Sequence, residues 1–403
     1  MVNGWVERPI IEVLKPNGIK IGPFGSQLKK EMLLSDGVYR VYGQENVYAR
    51  DFNIGDRYLT REHFNRLNSC EILPGDFVMS TMGTIGKCAI VPTTIQRGIM
   101  DSHLIRLRFD EKKVRSDYIL QLFSDQFHYL SDQTSRLAVG GIMDGLSVGI
   151  VSRLNVIYPE SIEEQGKIIK TLSEVDKLIS DQQKLIRKKK DIRQGAMQML
   201  VTGKKRLPGY YADFEHFTIG ELGSLAKMSI NPCQEPKTIF DEYSMPAFDD
   251  GAKPQQMLGE LMLSSRIKLT PNTLLFNKLN VRQRRVWLVK DCSNNSVCSS
   301  EFLPYKSEKI DLSFLKQLLL TDKVTKDFED MSSGTSNSQQ RITPSDFLKY
   351  EISIPSLEEQ RKIALILFDM DTEIQRLEEK LSKYQKVKQG MMEELLTGKV
   401  RLM

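Results

Sequence analysis

The sequence predicts an α/β (α+β) protein. Two mixed domains are separated by two long antiparallel helices forming a coiled coil, on a pseudo-twofold internal repeat. Three observations predict this. Residues 163–207 align with 358–402 at a constant offset of 195, with 18 identities in 45 positions and no gap. Both copies carry apolar residues at the alternating steps of four and three that mark a helix packed along another helix. Ahead of each copy, short β-branched runs alternate with helical patches and loops. In chain order this gives a first mixed domain over 1–158, a central helix over 159–207, a second mixed domain over 208–354 and a C-terminal helix over 355–403.

In the first mixed domain, Val38–Tyr42 and His103–Phe109 read as strands and Tyr118–Leu130 as a helix. Leu73–Val78 resembles Thr270–Leu275 in the second. Each is followed by a polar stretch and then by a strand-like run, Cys88–Val91 and Val286–Val289. Leu312–Leu320 reads as a helix, and Asn155–Pro159 resembles Glu351–Pro355.

The central helix places Ile168, Leu172, Val175, Ile179 and Ile186 on one seam, with polar Gln182 and Lys189 breaking its apolar character. The C-terminal helix places Ile363, Leu367, Met370, Ile374, Leu377, Leu381 and Tyr384 on the matching seam. Pro159 and Pro355 precede the helices, and the acidic pairs Glu163-Glu164 and Glu358-Glu359 suit the positive end of the helix dipole. Gly203 and Gly398 stop them. A helix of about 35–40 residues is roughly 50–60 Å long and cannot bury an apolar stripe alone, so the two are expected to pack on each other. The alternative is that each lies on its own domain. Gly195 and Gly390 fall inside the helical pattern, where glycine is costly; they mark a local bend, a close approach of helices or a docking surface.

Composition excludes several classes. There are 57 Lys and Arg against 52 Asp and Glu, a net charge of +5, too little for a histone-like tail. No apolar run approaches the ~18 residues of a membrane span, and Met1–Glu7 lacks a signal-peptide pattern, so a cytoplasmic protein is expected. Cys70, Cys88, Cys233, Cys292 and Cys298 are odd in number and scattered, which reads as reduced structural thiols. His63, His103, His128 and His216 have no metal-ligand spacing, so no metal is expected. Gly83–Lys87 lacks the glycine spacing of a phosphate-binding loop, and Cys88 stands where Ser or Thr belongs. No amino-methyltransferase motif is present, and Asp250–Lys253 is too little for a nuclease. The chain shows no catalytic residues of its own.

Polar and basic residues concentrate in the loops. The first domain offers Lys20, Ser26, Gln27 and Lys29, then Gln44 and Asn46, then Thr81, Thr84 and Lys87. The second offers Lys253 and Gln255, then Lys278, Asn280, Arg282, Gln283, Arg284 and Arg285 in a run without an acid. It continues with Ser336–Ser338, Gln339, Gln340 and Arg341. Arg, Asn and Gln make paired hydrogen bonds to base edges in the major groove, while Ser, Thr and Lys hold phosphates. Any one such loop is ordinarily a solvated face; their recurrence at matching points of a duplicated unit favours double-stranded DNA.

Leu-Glu-Glu-Gln-Arg-Lys-Ile at 357–363, Thr-Gly-Lys-x-Arg-Leu at 202–207 and 397–402, and the variable–fixed–variable–fixed order resemble the DNA specificity (S) subunit of type I restriction-modification systems. Gly22–Ser26 and Gly83–Lys87 also resemble that family's first target-recognition domain. Leu279–Arg285 departs from the family's Gly-Thr-Ile-Gly pattern, so contact residues do not transfer there. The resemblance implies two target-recognition domains, each reading half of a split site, with the helices setting the unread spacer. It implies two modification (methyltransferase) subunits as partners and, where present, two restriction (translocase/nuclease) subunits. S-adenosylmethionine and ATP would be bound by those partners, leaving this chain without a cofactor and non-catalytic. A free-standing DNA-binding or scaffold protein without a methylase partner is the alternative; an enzyme with an unseen site is a third reading.

Overall fold

The structure, a computed structural model, describes residues 4–137, 145–334 and 339–402. The chain forms two compact units: Met1–Gln183 with Glu379–Met403, and Lys184–Glu378. Each contains one mixed domain and part of both long helices.

In the first unit, a four-stranded antiparallel sheet runs in the order Leu14–Ile21, Leu104–Phe109, Phe77–Ser80, Cys88–Ile90. A second sheet runs Tyr58–Leu59, Tyr39–Tyr42, Gly98–Met100, Glu71–Ile72, with its central pair parallel. Trp5–Pro9 pairs antiparallel with Asn155–Pro159. Phe77, Ile105 and Leu107 share one core with Ile168, Leu172, Met392, Leu395 and Leu396, so the helices belong to the domain's own core. Burying such side chains contributes about 1.5–3 kcal/mol each.

The second unit repeats this topology and adds one edge strand to its second sheet. Its antiparallel sheet is Ser224–Leu225, Phe302–Lys306, Thr273–Asn277, Val286–Val289. Its second sheet is Ser229–Ile230, Arg266–Lys268, Ser296–Ser299, Ile239–Tyr243, Gln255–Leu258, again with one parallel pair, Ile239–Tyr243 and Ser296–Ser299. Glu215–Thr218 pairs with Glu351–Ile354. Met197, Leu200, Val201, Ile363 and Leu367 enter this unit's core.

One sequence expectation fails within the first unit. The single helix expected over Tyr118–Leu130 is two, Ser116–Leu122 and Tyr129–Leu137. Between them Phe127 N–H bonds the Ser124 carbonyl at 3.1 Å, and His128 takes a left-handed φ of 58°, which a continuing helix excludes.

The long helices span Ile162–Val201 and Leu357–Leu395. Ser161 and Ser356 accept the N–H of Glu164 and Glu359, capping each first turn. Gly203 and Gly398 both take φ 73°, and a Cβ there would lie 2.9 Å from the Phe214 ring and 2.8 Å from the Trp5 ring. Glycine is therefore required twice over at these two stops.

Within each unit the two helices run antiparallel. In the first unit Glu164 pairs with Arg401 and Asp176 with Lys388, each at 2.7 Å. In the second, Lys189 pairs with Glu373, Arg193 with Asp371 and Arg206 with Glu359. Ile168, Leu172, Ile363 and Leu367 are wholly buried, and Ile186 and Ile374 nearly so. Val175, Ile179, Met370, Leu377 and Leu381 are half-buried. The polar seam positions keep the phase: Gln182 is buried, and Lys189 is half-buried with its ammonium on Glu373. At Gly195 and Gly390 a Cβ would meet nothing within 4 Å, and the helices run through both, so neither is a site of close helix approach.

Candidate nucleic-acid interface

In the first unit, residues 81–87 form the hairpin loop between Phe77–Ser80 and Cys88–Ile90. Gly83 and Gly86 take positive φ, and buried Ser80 ties the loop down, donating to the Thr84 carbonyl at 2.6 Å and accepting the Lys87 N–H at 3.0 Å. The short helix Gln44–Ala49 follows strand Tyr39–Tyr42, and Tyr48 reaches from it to the loop. The Tyr48 hydroxyl accepts the Thr84 N–H at 3.0 Å and lies 3.0 Å from Gln44 Oε1, 3.1 Å from the Met82 carbonyl and 3.2 Å from the Thr84 carbonyl. Gln44 and Thr84 are thus brought together. Phe24, beside exposed Ser26, Gln27 and Lys29, lines a cavity of about 480 Å³ with Met82 and Leu146, bringing a third loop to the same surface. Lys20 is exposed on the edge strand of its sheet.

Three expected contacts of this unit are otherwise engaged. Asn46 is buried; its Oδ1 accepts the Gly43 N–H at 2.9 Å and its Nδ2 donates to the Asp51 and Ile54 carbonyls. Its amide holds the chain together and has nothing to offer a base. Thr81 is also buried, its backbone bonded to His103 and Leu146. Lys87 is half-buried and paired with Asp125.

In the second unit the equivalent loop, 278–285, joins Thr273–Asn277 to Val286–Val289. A turn at Val281–Gln283 sits between Asn280 and Arg284, both left-handed. Residues 278–285 and 339–342 are stitched together: Asn280 N–H bonds the Gln340 carbonyl at 2.8 Å, and Ile342 N–H bonds the Lys278 carbonyl at 3.1 Å. Gln340 Oε1 accepts from Ser332, and Gln283 and Gln339 are exposed. Residues 336–338 lie outside the described residues. Lys253 and Gln255 are exposed, Gln255 on the edge strand.

The basic run is not a free positive surface. Arg285 clamps Asp249 through two bonds of 2.8 and 2.7 Å, Arg284 meets Asp322 at 2.7 Å, Arg282 meets Glu329 at 3.5 Å, and Arg341 meets Glu301 at 3.2 Å. Arg284 also donates to the Leu320 carbonyl. The run lacks acids in sequence, but the fold supplies one to each arginine. Hydrogen bonding from Arg285 holds the Asp249 carboxyl below the usual carboxylate range. Exposed pairs of this kind contribute about 0–1 kcal/mol.

Several residues that hold these elements in place were not singled out from the sequence. Tyr48 left no signal. Arg57 bridges Glu45 at 2.6 Å and Asp101 at 2.9 Å, fixing the first turn of the Gln44–Ala49 helix. The repeat identities carried a signal whose meaning only geometry supplies. The second Glu of one copy clamps the Arg of the other copy's Thr-Gly-Lys-x-Arg-Leu, in Glu164–Arg401 and Glu359–Arg206. The Gln beside it ties domain to helix. Gln165 accepts the Arg115 N–H at 2.8 Å and Gln360 the Asp311 N–H at 2.9 Å, each at the entrance to a domain helix. Hydrogen bonding from Arg401 lowers the Glu164 pKa.

Other chemistry finds no support among the described residues. The five thiols are unpaired, and burial pushes Cys298 up to about 12 and Cys88 further, which makes both poor nucleophiles. No group of His, Cys, Asp and Glu is placed to hold a metal ion, and no helix is long and apolar enough to cross a membrane.

The fold is thus a duplicated mixed domain with a polar hairpin loop on each copy. The chain belongs to the type I restriction-modification DNA specificity family, whose domain model matches residues 19–189 and 286–388. It is 24% identical over 335 residues to the type I restriction enzyme MjaVIII specificity subunit of Methanocaldococcus jannaschii, covering 76% of this chain and 75% of that one. Its fold is similar to the crystal structure of the type I S subunit from M. genitalium, with TM-score 0.54, 13% identity and coverage of 97% and 96%. It is also similar to a chain solved in a study of complex assembly and conformational transition of the type I R-M system, with TM-score 0.61, 13% identity and 99% of each chain covered. HsdS from Thermoanaerobacter tengcongensis gives TM-score 0.52 at 14% identity, over 99% and 98%.

Proposed function

We propose that this chain is the specificity subunit that directs a type I restriction-modification complex to a bipartite DNA site. The mixed domain of each unit reads one half-site, and the length of the long helices sets the unread bases between them. The observation that carries the reading is the repetition of one sheet topology, each copy with a polar hairpin loop and the same Glu–Arg and Gln–backbone locks. Each good base contact gives about 1–3 kcal/mol of discrimination, so two linked readers multiply a selectivity that neither reaches alone.

The chain itself performs no bond-making step. It scaffolds two modification subunits, which bind S-adenosylmethionine and methylate the DNA, and restriction subunits, where present, supply ATP-driven translocation and cleavage. Single-molecule methylation mapping of DNA from a host expressing the chain with its partners tests this. A motif of two half-sites with a fixed gap is expected. A contiguous motif, or sequence-independent methylation, overturns the bipartite reading. Specific binding by the chain in the absence of any methyltransferase partner in its host would favour the free-standing alternative.

A further inference from the structure

The two hairpin loops occupy the same topological position, between neighbouring strands of the antiparallel sheet. In each unit a short helix follows a strand of the parallel pair: Gln44–Ala49 after Tyr39–Tyr42, and Met245–Asp249 after Ile239–Tyr243. Each helix is tied to its hairpin loop by a side chain near its end, and the two ties differ in chemistry. Tyr48 makes one, as a neutral phenol centred on Met82–Thr84. The Asp249–Arg285 ion pair makes the other. Here the Phe248 ring, its centroid 5.7 Å from that of Trp287, adds an apolar contact between the helix and the strand that follows the loop.

We propose that Tyr48 and the Asp249–Arg285 pair are equivalent latches, positioning residues that hold each recognition loop against its short helix so that both face a half-site as one rigid pattern. The proposal rests on the bipartite DNA-reading function above. Reading a base by paired hydrogen bonds requires donors and acceptors at fixed separations, and a loose loop loses entropy when it is ordered on DNA. The Tyr48 hydroxyl has one proton, so it donates to one oxygen of Gln44, Met82 or Thr84 at a time while accepting the Thr84 N–H. That joins Gln44 and the loop tip through a single atom. At Gly83 a Cβ would sit 3.3 Å from this oxygen, so a larger residue crowds the latch. Arg285, expected to contact DNA, has a side chain only 16% exposed, with its Nε and Nη2 both donating to Asp249. Its role is to aim its neighbours.

The test uses the full chain assembled with its modification subunits and a randomised pool of duplex DNA. Tyr48→Phe keeps the ring and removes the hydroxyl. It is expected to lower discrimination about tenfold at one half-site and to leave the other unchanged. Asp249→Ala is expected to do the reverse, and Asp249→Glu to restore part of the loss. Thermal melting of each variant at the wild-type temperature separates loss of aim from loss of fold. Unchanged selectivity at both half-sites, or equal relaxation of both, overturns the latches. A wild-type complex that selects no two-part motif instead removes the function on which they rest.

Discussion

The hairpin loops 81–87 and 278–285 hang from the same topology and are built from opposite chemistry. The first is nearly uncharged, turns on two glycines and is held by hydroxyls from Ser80 and Tyr48. The second is rich in arginine, turns on Asn280 and Arg284 and is held by carboxylates from distant parts of its unit. The helix ends of the same two units are nearly interchangeable: Glu164–Arg401 matches Glu359–Arg206, and Asp176–Lys388 matches Asp371–Arg193. The fixed blocks carry the frame and the loops carry the difference.

Three measurements break or sharpen the contrast. The largest effect belongs to the shared frame. Leu367 is wholly buried, and Leu367→Ala should cost about 2–5 kcal/mol. Leu367→Asp should exceed that and unfold the second unit. Half-buried Leu377→Asp should cost less. Chemical denaturation with limited proteolysis checks the order, and normal melting of both Asp variants would refute the seam.

Next come the locks. Glu164→Gln and Glu359→Gln should lower melting by similar amounts, because each removes one bidentate clamp from an equivalent place. Strongly unequal losses would show that the repeat is not balanced. The folded state holds Glu164 below its ordinary pKa, so its stabilisation is full above the usual glutamate value of about 4.3 and is lost as pH falls through the lower folded value. Melting of the wild type should therefore fall more steeply through that acid range than melting of Glu164→Gln.

The smallest effect lies within the second loop. Arg282 meets Glu329 at 3.5 Å and Asn280 at 3.4 Å with 41% of its side chain exposed, whereas Arg285, on Asp249, is 16% exposed. Arg282 is therefore the more open to exchange Glu329 for phosphate. Arg282→Ala should weaken binding at all sequences and flatten its salt dependence, while Arg285→Ala should relax one half-site. Salt titrations of binding to cognate and altered duplexes separate the two.

The long helices were legible because a repeat of four and three survives duplication, and seam residues such as Ile168, Leu172, Ile363 and Leu367 are buried. The break at His128 was not, because one left-handed residue leaves the apolar spacing almost intact. The loops were legible as loops, but their roles were not. The acids that neutralise Arg282, Arg284 and Arg285 stand 36 to 47 residues away in sequence, where no local pattern reveals them. Asn46 reads as a base-contacting residue until its burial is seen, and Tyr48 reads as nothing until its oxygen meets the loop.

The first unit draws part of its core from Met392, Leu395 and Leu396, which the ribosome delivers only after the whole of Lys184–Glu378 has been made. Domains commonly fold in order of synthesis, N-terminal first. Here the earlier-made unit must wait with that part of its core unfilled while the later one completes itself. A released chain truncated after Glu378 should thus carry a finished second unit and an unfinished first, the reverse of the usual order.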